Sequence, residues 1–98
     1  MNDLIQNTIE WARLKGILDN GTREGQAWKT IEEANELLKA VQEENQAEVI
    51  DAIGDVFVTI IIQAHMNGLR VEDCLRAAYN VISKRSGRME GGVFVKDA

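Results

Sequence analysis

"IDAIGDVFVTIII", Ile50 to Ile62, decides how this chain folds. Asp51 and Asp55 open a segment that is otherwise apolar on every side. At about 100° per residue, Val56, Phe57, Val58, Ile60, Ile61 and Ile62 take up nearly the whole circumference of a helix. A helix that is apolar all round must be buried all round. A charge taken out of water is costly unless something pairs with it. The two carboxylates therefore sit at a wet edge or meet a cation, and that choice carries most of the functional question.

Outward from this stretch the chain reads as helices. The central one is predicted over Gln46 to Asn67, with Gly68 as its stop. Before it, Gln26 to Glu43 carries an apolar stripe of Ala27, Ile31, Ala34, Leu38 and Val41, expected to face the core. A first helix over Asp3 to Leu18 is closed by the turn residues of "DNGTREG". A last helix spans Val71 to Arg85, and the glycine-rich tail, residues 86–98, holds "VFV" as a short extended piece laid over the bundle. No proline interrupts any of them. The fold class is all-α, a single four-helix bundle domain over 1–98. Four helices from 98 residues hardly enclose the central one, so a second chain is implied and a homodimer or homotetramer is expected.

The composition narrows the function. A balance of 45% hydrophobic and 28% charged residues is that of an ordinary globular domain. A net charge of −5 disfavours nucleic acid and acidic membranes as partners. Phosphates remain accessible to an acidic chain where a divalent metal inverts the local sign. One cysteine, Cys74, makes no disulfide within the chain, and the start "MNDLIQNTIEW" has no leader pattern. A cytoplasmic location is expected.

Placed on helices, the acids form two clusters. Glu33 and Glu36 lie one turn apart on the second helix, with Lys29 and Gln26 on the same stripe and Glu32 further round. Glu48, Asp51 and Asp55 form an i, i+3, i+7 line on the third. Clustered carboxylates beside apolar surface suit magnesium, a hard cation that keeps several waters and takes oxygen ligands. Against this, acids and lysines spaced like Lys29 and Glu33 are common on solvated helix faces. A di-iron site fails, because the one histidine, His65, has Ile62 and not glutamate three residues before it. Zinc lacks nitrogen and sulfur ligands. No Gly-rich phosphate loop is present.

At these residues the chain resembles a known family. "QAWKTIEEANEL" (26–37) and "IGDVFVTIIIQAHMNGL" (53–69) are similar to the two motifs of the MazG-like, all-α nucleoside triphosphate pyrophosphohydrolases. "IEWARLKGI" (9–17) resembles their first helix and "AAYNVISKRSGRM" (77–89) the closing helix of phage-type members. The resemblance implies Mg2+-dependent hydrolysis, with Mn2+ as an alternative, of (deoxy)nucleoside triphosphates to monophosphate and pyrophosphate. It implies Glu33, Glu36 and Asp55 as metal ligands and Glu32 as a ligand or the base that activates water. Members usually carry glutamate where this chain has Ala52, and Asp51 and Glu48 are candidates to take its place. Basic side chains for pyrophosphate are Lys84, Arg85, Arg88 and Lys29. Lys84 and Arg85 also suit a helix C-terminus without any ligand, and Trp11 and Trp28 suit either base stacking or the core. The departure at Ala52 keeps a second reading open: a non-catalytic helical dimerisation or regulatory module with a degenerate metal site.

Overall fold

The computed structural model describes residues 1–98. Five helices and one hairpin follow in order: α1 (Asn2–Leu14), α2 (Ile17–Asn20), α3 (Arg23–Gln42), α4 (Gln46–Met66), α5 (Val71–Ile82), β1 (Gly87–Glu90) and β2 (Val93–Lys96). The chain is thus mostly helical, as expected, with two departures. The expected first helix is split at Gly16, whose φ of 79° closes α1 and opens the short α2. The tail is an antiparallel hairpin, with Met89 opposite Phe94, and both strands are exposed throughout. It projects from the helices and does not lie over them.

α3 and α4 are the centre of the molecule. Thr22 caps α3 by accepting from the Gly25 amide at 2.9 Å, so the helix starts three residues before the expected Gln26. Asn45 caps α4 by accepting from the Glu48 amide. The turn between them is a Schellman closure: the Glu44 amide donates to the Val41 carbonyl and the Asn45 amide to the Ala40 carbonyl, both at 3.1 Å. Glu44 carries the left-handed conformation this closure demands, at φ 55°. α4 ends the same way at Gly68, the stop read from the sequence.

A three-residue turn makes the two long helices antiparallel neighbours. At one end Gln63 Nε2 donates to the Arg23 carbonyl at 2.9 Å, and at the other the small residues Ala40 and Ala52 are both buried. Between them the seam is polar. Gln26 Nε2 donates to the Thr59 carbonyl, and the Thr30 hydroxyl donates to the Thr59 hydroxyl at 2.9 Å, which in turn donates to the Val56 carbonyl. The face α3 turns to α4 is therefore Gln26, Thr30, Glu33, Leu37 and Ala40, one residue out of step with the expected apolar stripe. One residue is about 100° of helix, so Ala27, Ile31, Ala34, Leu38 and Val41 are all exposed.

α1 covers the C-terminal half of α4, burying Ile5 and Ala12 on its own side and Ile61 and Ala64 on the other. α5 rests on α4 lightly and buries no residue of its own. In all, 8 of 98 residues are buried, and Phe57 and Ile60 of the apolar run stay about two-fifths exposed. At 21 residues α4 is also long and apolar enough to cross a membrane, which the short run Val56–Ile62 does not suggest.

Candidate active site

Helical phase puts the acids of α3 and α4 on one side of the seam and the apolar residues on the other. Seen from α3, Glu36 and Glu43 lie on one flank of the residues facing α4. Seen from α4, Glu48, Asp51 and Asp55 lie on the matching flank, because the helices run antiparallel. The two flanks border a cleft of about 300 Å³, lined by Glu36, Lys39, Glu43, Glu48, Asp51 and Asp55, with Ala40 and Ala52 at its floor. Small residues at the floor let the helices approach and leave the space above them open.

Five carboxylates thus face one cleft with a single ammonium, that of Lys39. No three of them converge within coordinating reach of one point. The donors still fit a hard divalent cation by chemistry: all are carboxylate oxygens on an open, wet cleft, where a few ligands and several waters suffice. Four of the expected ligands, Glu36, Glu48, Asp51 and Asp55, share this cleft. Ala52 is 5% exposed at the floor, while Asp51 beside it lines the wall.

Glu32 and Glu33 lie further along α3, outside the lining. Lys29 Nζ reaches Glu32 Oε2 and Glu33 Oε1, each at 3.4 Å. The hydrogen bond to Glu32 and its charge, and then Glu33, hold the Lys29 ammonium above its ordinary pKa. Glu33 is the more sheltered of the two, with a side chain 17% exposed against 61% for Glu32. Gln26 is committed to the Thr59 carbonyl at 3.2 Å. Among the other basic candidates, α5 ends at Ile82 and not at the expected Arg85, so Lys84 and Arg85 lie past the helix. Arg88 is on β1, 2.7 Å from Glu90. None of the three lines the cleft. Trp28 and Trp11 are 65% and 47% exposed, so neither is a core residue within one chain. His65 is half-buried at the far end of α4.

Lys39 and Glu43 were not singled out from the sequence, although both continue the Glu36 flank at i+3 and i+7. The signal was present, but α3 alone has acids on several faces. Only the position of α4 separates the ones that share a cleft.

An antiparallel helix pair with carboxylates from both members on one side defines a class: all-α proteins with an acidic cleft between helices. The chain belongs to the MazG family. The model of the MazG nucleotide pyrophosphohydrolase domain matches residues 22–89, from the cap of α3 into β1. A relative, an uncharacterized 18.2 kDa protein in the rep-hol intergenic region of Haemophilus phage HP1, is 33% identical over 67 residues. The match covers 68% of this chain and 41% of the relative, so the chain spans less than half the length of that protein. No solved structure matches the chain.

Proposed function

We propose that this chain is a Mg2+-dependent nucleoside triphosphate pyrophosphohydrolase, acting as a homodimer or homotetramer. The observation that carries the reading is the cleft: carboxylates of two antiparallel helices face one another with one cation among them, inside the segment that matches the family. Glu36, Asp55, Asp51 and Glu48 would hold the metal, with Glu33 as a further ligand from α3. Mn2+ serves the same oxygen donors. When bound, magnesium would supply charge neutralisation for the triphosphate oxygens and the leaving pyrophosphate.

The chain's own residues do the rest. Glu32, the more exposed of the pair at Lys29, takes a proton from the water that attacks the α-phosphorus. The bond between that phosphorus and the bridging oxygen breaks, and pyrophosphate leaves with the oxygen. Lys29 and Gln26, nearer the N-terminus of α3 than the cleft, meet the far end of the substrate, while Lys84, Arg85 and Arg88 reach it from the C-terminal segment as the molecule assembles. The free thiol of Cys74 suits the reducing interior of a cell, where the nucleotides are.

The experiment is a panel of ribo- and deoxyribonucleoside triphosphates with magnesium, manganese or chelator, the products separated by ion-exchange chromatography. Monophosphate and pyrophosphate, formed only with metal, are expected. A diphosphate with orthophosphate would exclude this reaction class, and no turnover of any nucleotide would leave a binding module.

A further inference from the structure

The C-terminal ends of α1 and α4 and the first turn of α3 meet at a second cavity, of about 410 Å³. It is lined by Arg13, Arg23 and His65 and by Leu18, Gly21 and Met66. In a chain of net charge −5, no carboxylate lines it. From Asp55, the nearest acid of the cleft on the same helix, His65 is about 15 Å further along α4. The two sites are therefore separate and opposite in sign.

Two of the three basic groups have an ordinary explanation. Arg13 and His65 stand in the last turns of α1 and α4, where a positive group meets the helix dipole favourably. Arg23 does not. It is the first residue of α3, a helix of 20 residues, where the dipole favours an anion and opposes a cation. Arg23 is in no ion pair, and Glu24, next in the turn, does not line the cavity. A neutral group holds its guanidinium instead, with Nη1 donating to Asn67 Oδ1 at 3.3 Å. Asn67 Nδ2 donates to Gln63 Oε1, and Gln63 Nε2 donates to the Arg23 carbonyl, so the arginine is tied to the end of α4. Arg13 uses only Nε, on Glu10 at 3.2 Å. Each guanidinium thus keeps nitrogens with no partner in the chain. Gly21 permits the convergence. A Cβ there would stand 2.5 Å from the Ile17 carbonyl oxygen and 3.0 Å from Met66 Cε, so the turn before α3 closes on α4 only without a side chain.

Two guanidiniums and a helix N-terminus around one cavity repel one another and attract an anion. Guanidinium and phosphate match in charge and in fork geometry, and the free amides of a helix start add donors. We propose that this cavity binds the phosphate group of a small molecule, inorganic phosphate or a phosphate monoester whose body rests on Leu18 and Met66. A polynucleotide needs a stripe of cations along the surface, whereas two arginines about one cavity suit a single phosphate. The site needs no metal and does not rest on hydrolysis at the acidic cleft.

His65 is the only histidine of the chain, so its imidazole C–H gives one resolved NMR signal beside the cavity. Inorganic phosphate and adenosine monophosphate are titrated separately, at constant pH, into the full chain freed of divalent metal, where the carboxylates of the cleft repel both. The His65 signal should move and saturate at millimolar concentration or below. Adenosine monophosphate binding at least tenfold more tightly than inorganic phosphate would place a monoester body on Leu18 and Met66. Equal affinities would make inorganic phosphate the ligand. Arg23→Gln and Arg13→Gln should each weaken binding about tenfold, the scale of one charge-assisted hydrogen bond. Lys15→Gln, which removes the same charge from the exposed α1–α2 turn, should leave it unchanged. A His65 signal that stays in place up to about 10 mM of both anions, a concentration that detects even weak binding, overturns the site. Equal weakening by Lys15→Gln and Arg23→Gln overturns it too, since the attraction is then diffuse surface charge. Neither result bears on metal-dependent turnover.

Discussion

Asp51, Ala52 and Asp55 show how little separates a ligand from a neighbour on a helix. Relative to Asp55, position 52 is turned about 60° one way and position 51 about 40° the other. In the fold, Ala52 is at the floor of the cleft against α3, and Asp51 is on its wall. A glutamate at 52 would rise from the floor between the helices, whereas Asp51 enters from the side. If Asp51 supplies the ligand missing at 52, Asp51→Asn should depress Mg2+-dependent turnover about as much as Asp55→Asn. Adding Ala52→Glu should then restore part of it. Normal turnover by Asp51→Asn would reduce Asp51 to a solvated neighbour. Asp55→Asn separates chemistry from stability in a second way. Five carboxylates beside one ammonium repel one another without metal, so the variant should lose turnover yet melt at or above the wild-type temperature in chelator. A large drop in melting temperature would mark Asp55 as a structural partner instead.

At the scale of the element, α4 and α5 each carry one informative position. Gly54 stands in the middle of α4, and a Cβ there would meet nothing within 4 Å. Interior helical glycine costs roughly 0.5–1 kcal/mol relative to alanine. Gly54→Ala should therefore raise stability by about that amount in urea titration, unless a second chain approaches at this position. Glu72, in the first turn of α5, has its pKa lowered by hydrogen bonding to its backbone amide and by Arg70 at 3.1 Å. A depressed carboxylate favours the folded state when ionised. Its contribution is complete above the ordinary glutamate value of 4.5 and is lost as pH falls through the lower native value. Between wild type and Glu72→Gln, the stability difference should be present at pH 7 and vanish toward pH 3. A difference that persists at pH 3 would assign the effect to packing.

For the molecule as a whole, association and folding are expected to be one event. A chain that buries 8 of 98 residues has little core of its own, and a partner that binds only the native state adds to its stability. The melting temperature should then rise with protein concentration between about 1 and 100 µM, as linkage requires when only the native state associates. A melting temperature independent of concentration would make the chain self-sufficient. Ile61, which reads from the sequence like its neighbours, is no probe of association. It is 5% exposed under α1, so a charge there unfolds the chain whatever its partner. Leu38 and Ile53, both more than half exposed, are the positions at which association is tested without disturbing the core.

The sequence by itself determined the two long central helices, the stop of α4 and the acidic character of the site, though not the break at Gly16 or the end of α5 at Ile82. Helical period, the Gly68 stop and the spacing of Glu48, Asp51 and Asp55 are local, and local patterns survive without knowledge of neighbours. The MazG motifs were legible for the same reason, since each lies within one helix. What only the tertiary structure decided is which side of each helix faces which neighbour. The stripe of Ala27, Ile31, Ala34, Leu38 and Val41 is a correct reading of apolar surface, but α3 meets α4 through Gln26, Thr30 and Ala40 instead. Thr59 offers those polar groups hydrogen-bond partners, and Ala40 with Ala52 allows close approach, so a polar seam with small residues prevails over the apolar stripe. That rotation of about 100° gathers Glu36, Lys39 and Glu43 with the α4 acids in one cleft and turns the apolar stripe outward. Periodicity along one chain gives the width of an apolar face, and the choice of what covers it is made by contacts between elements distant in sequence.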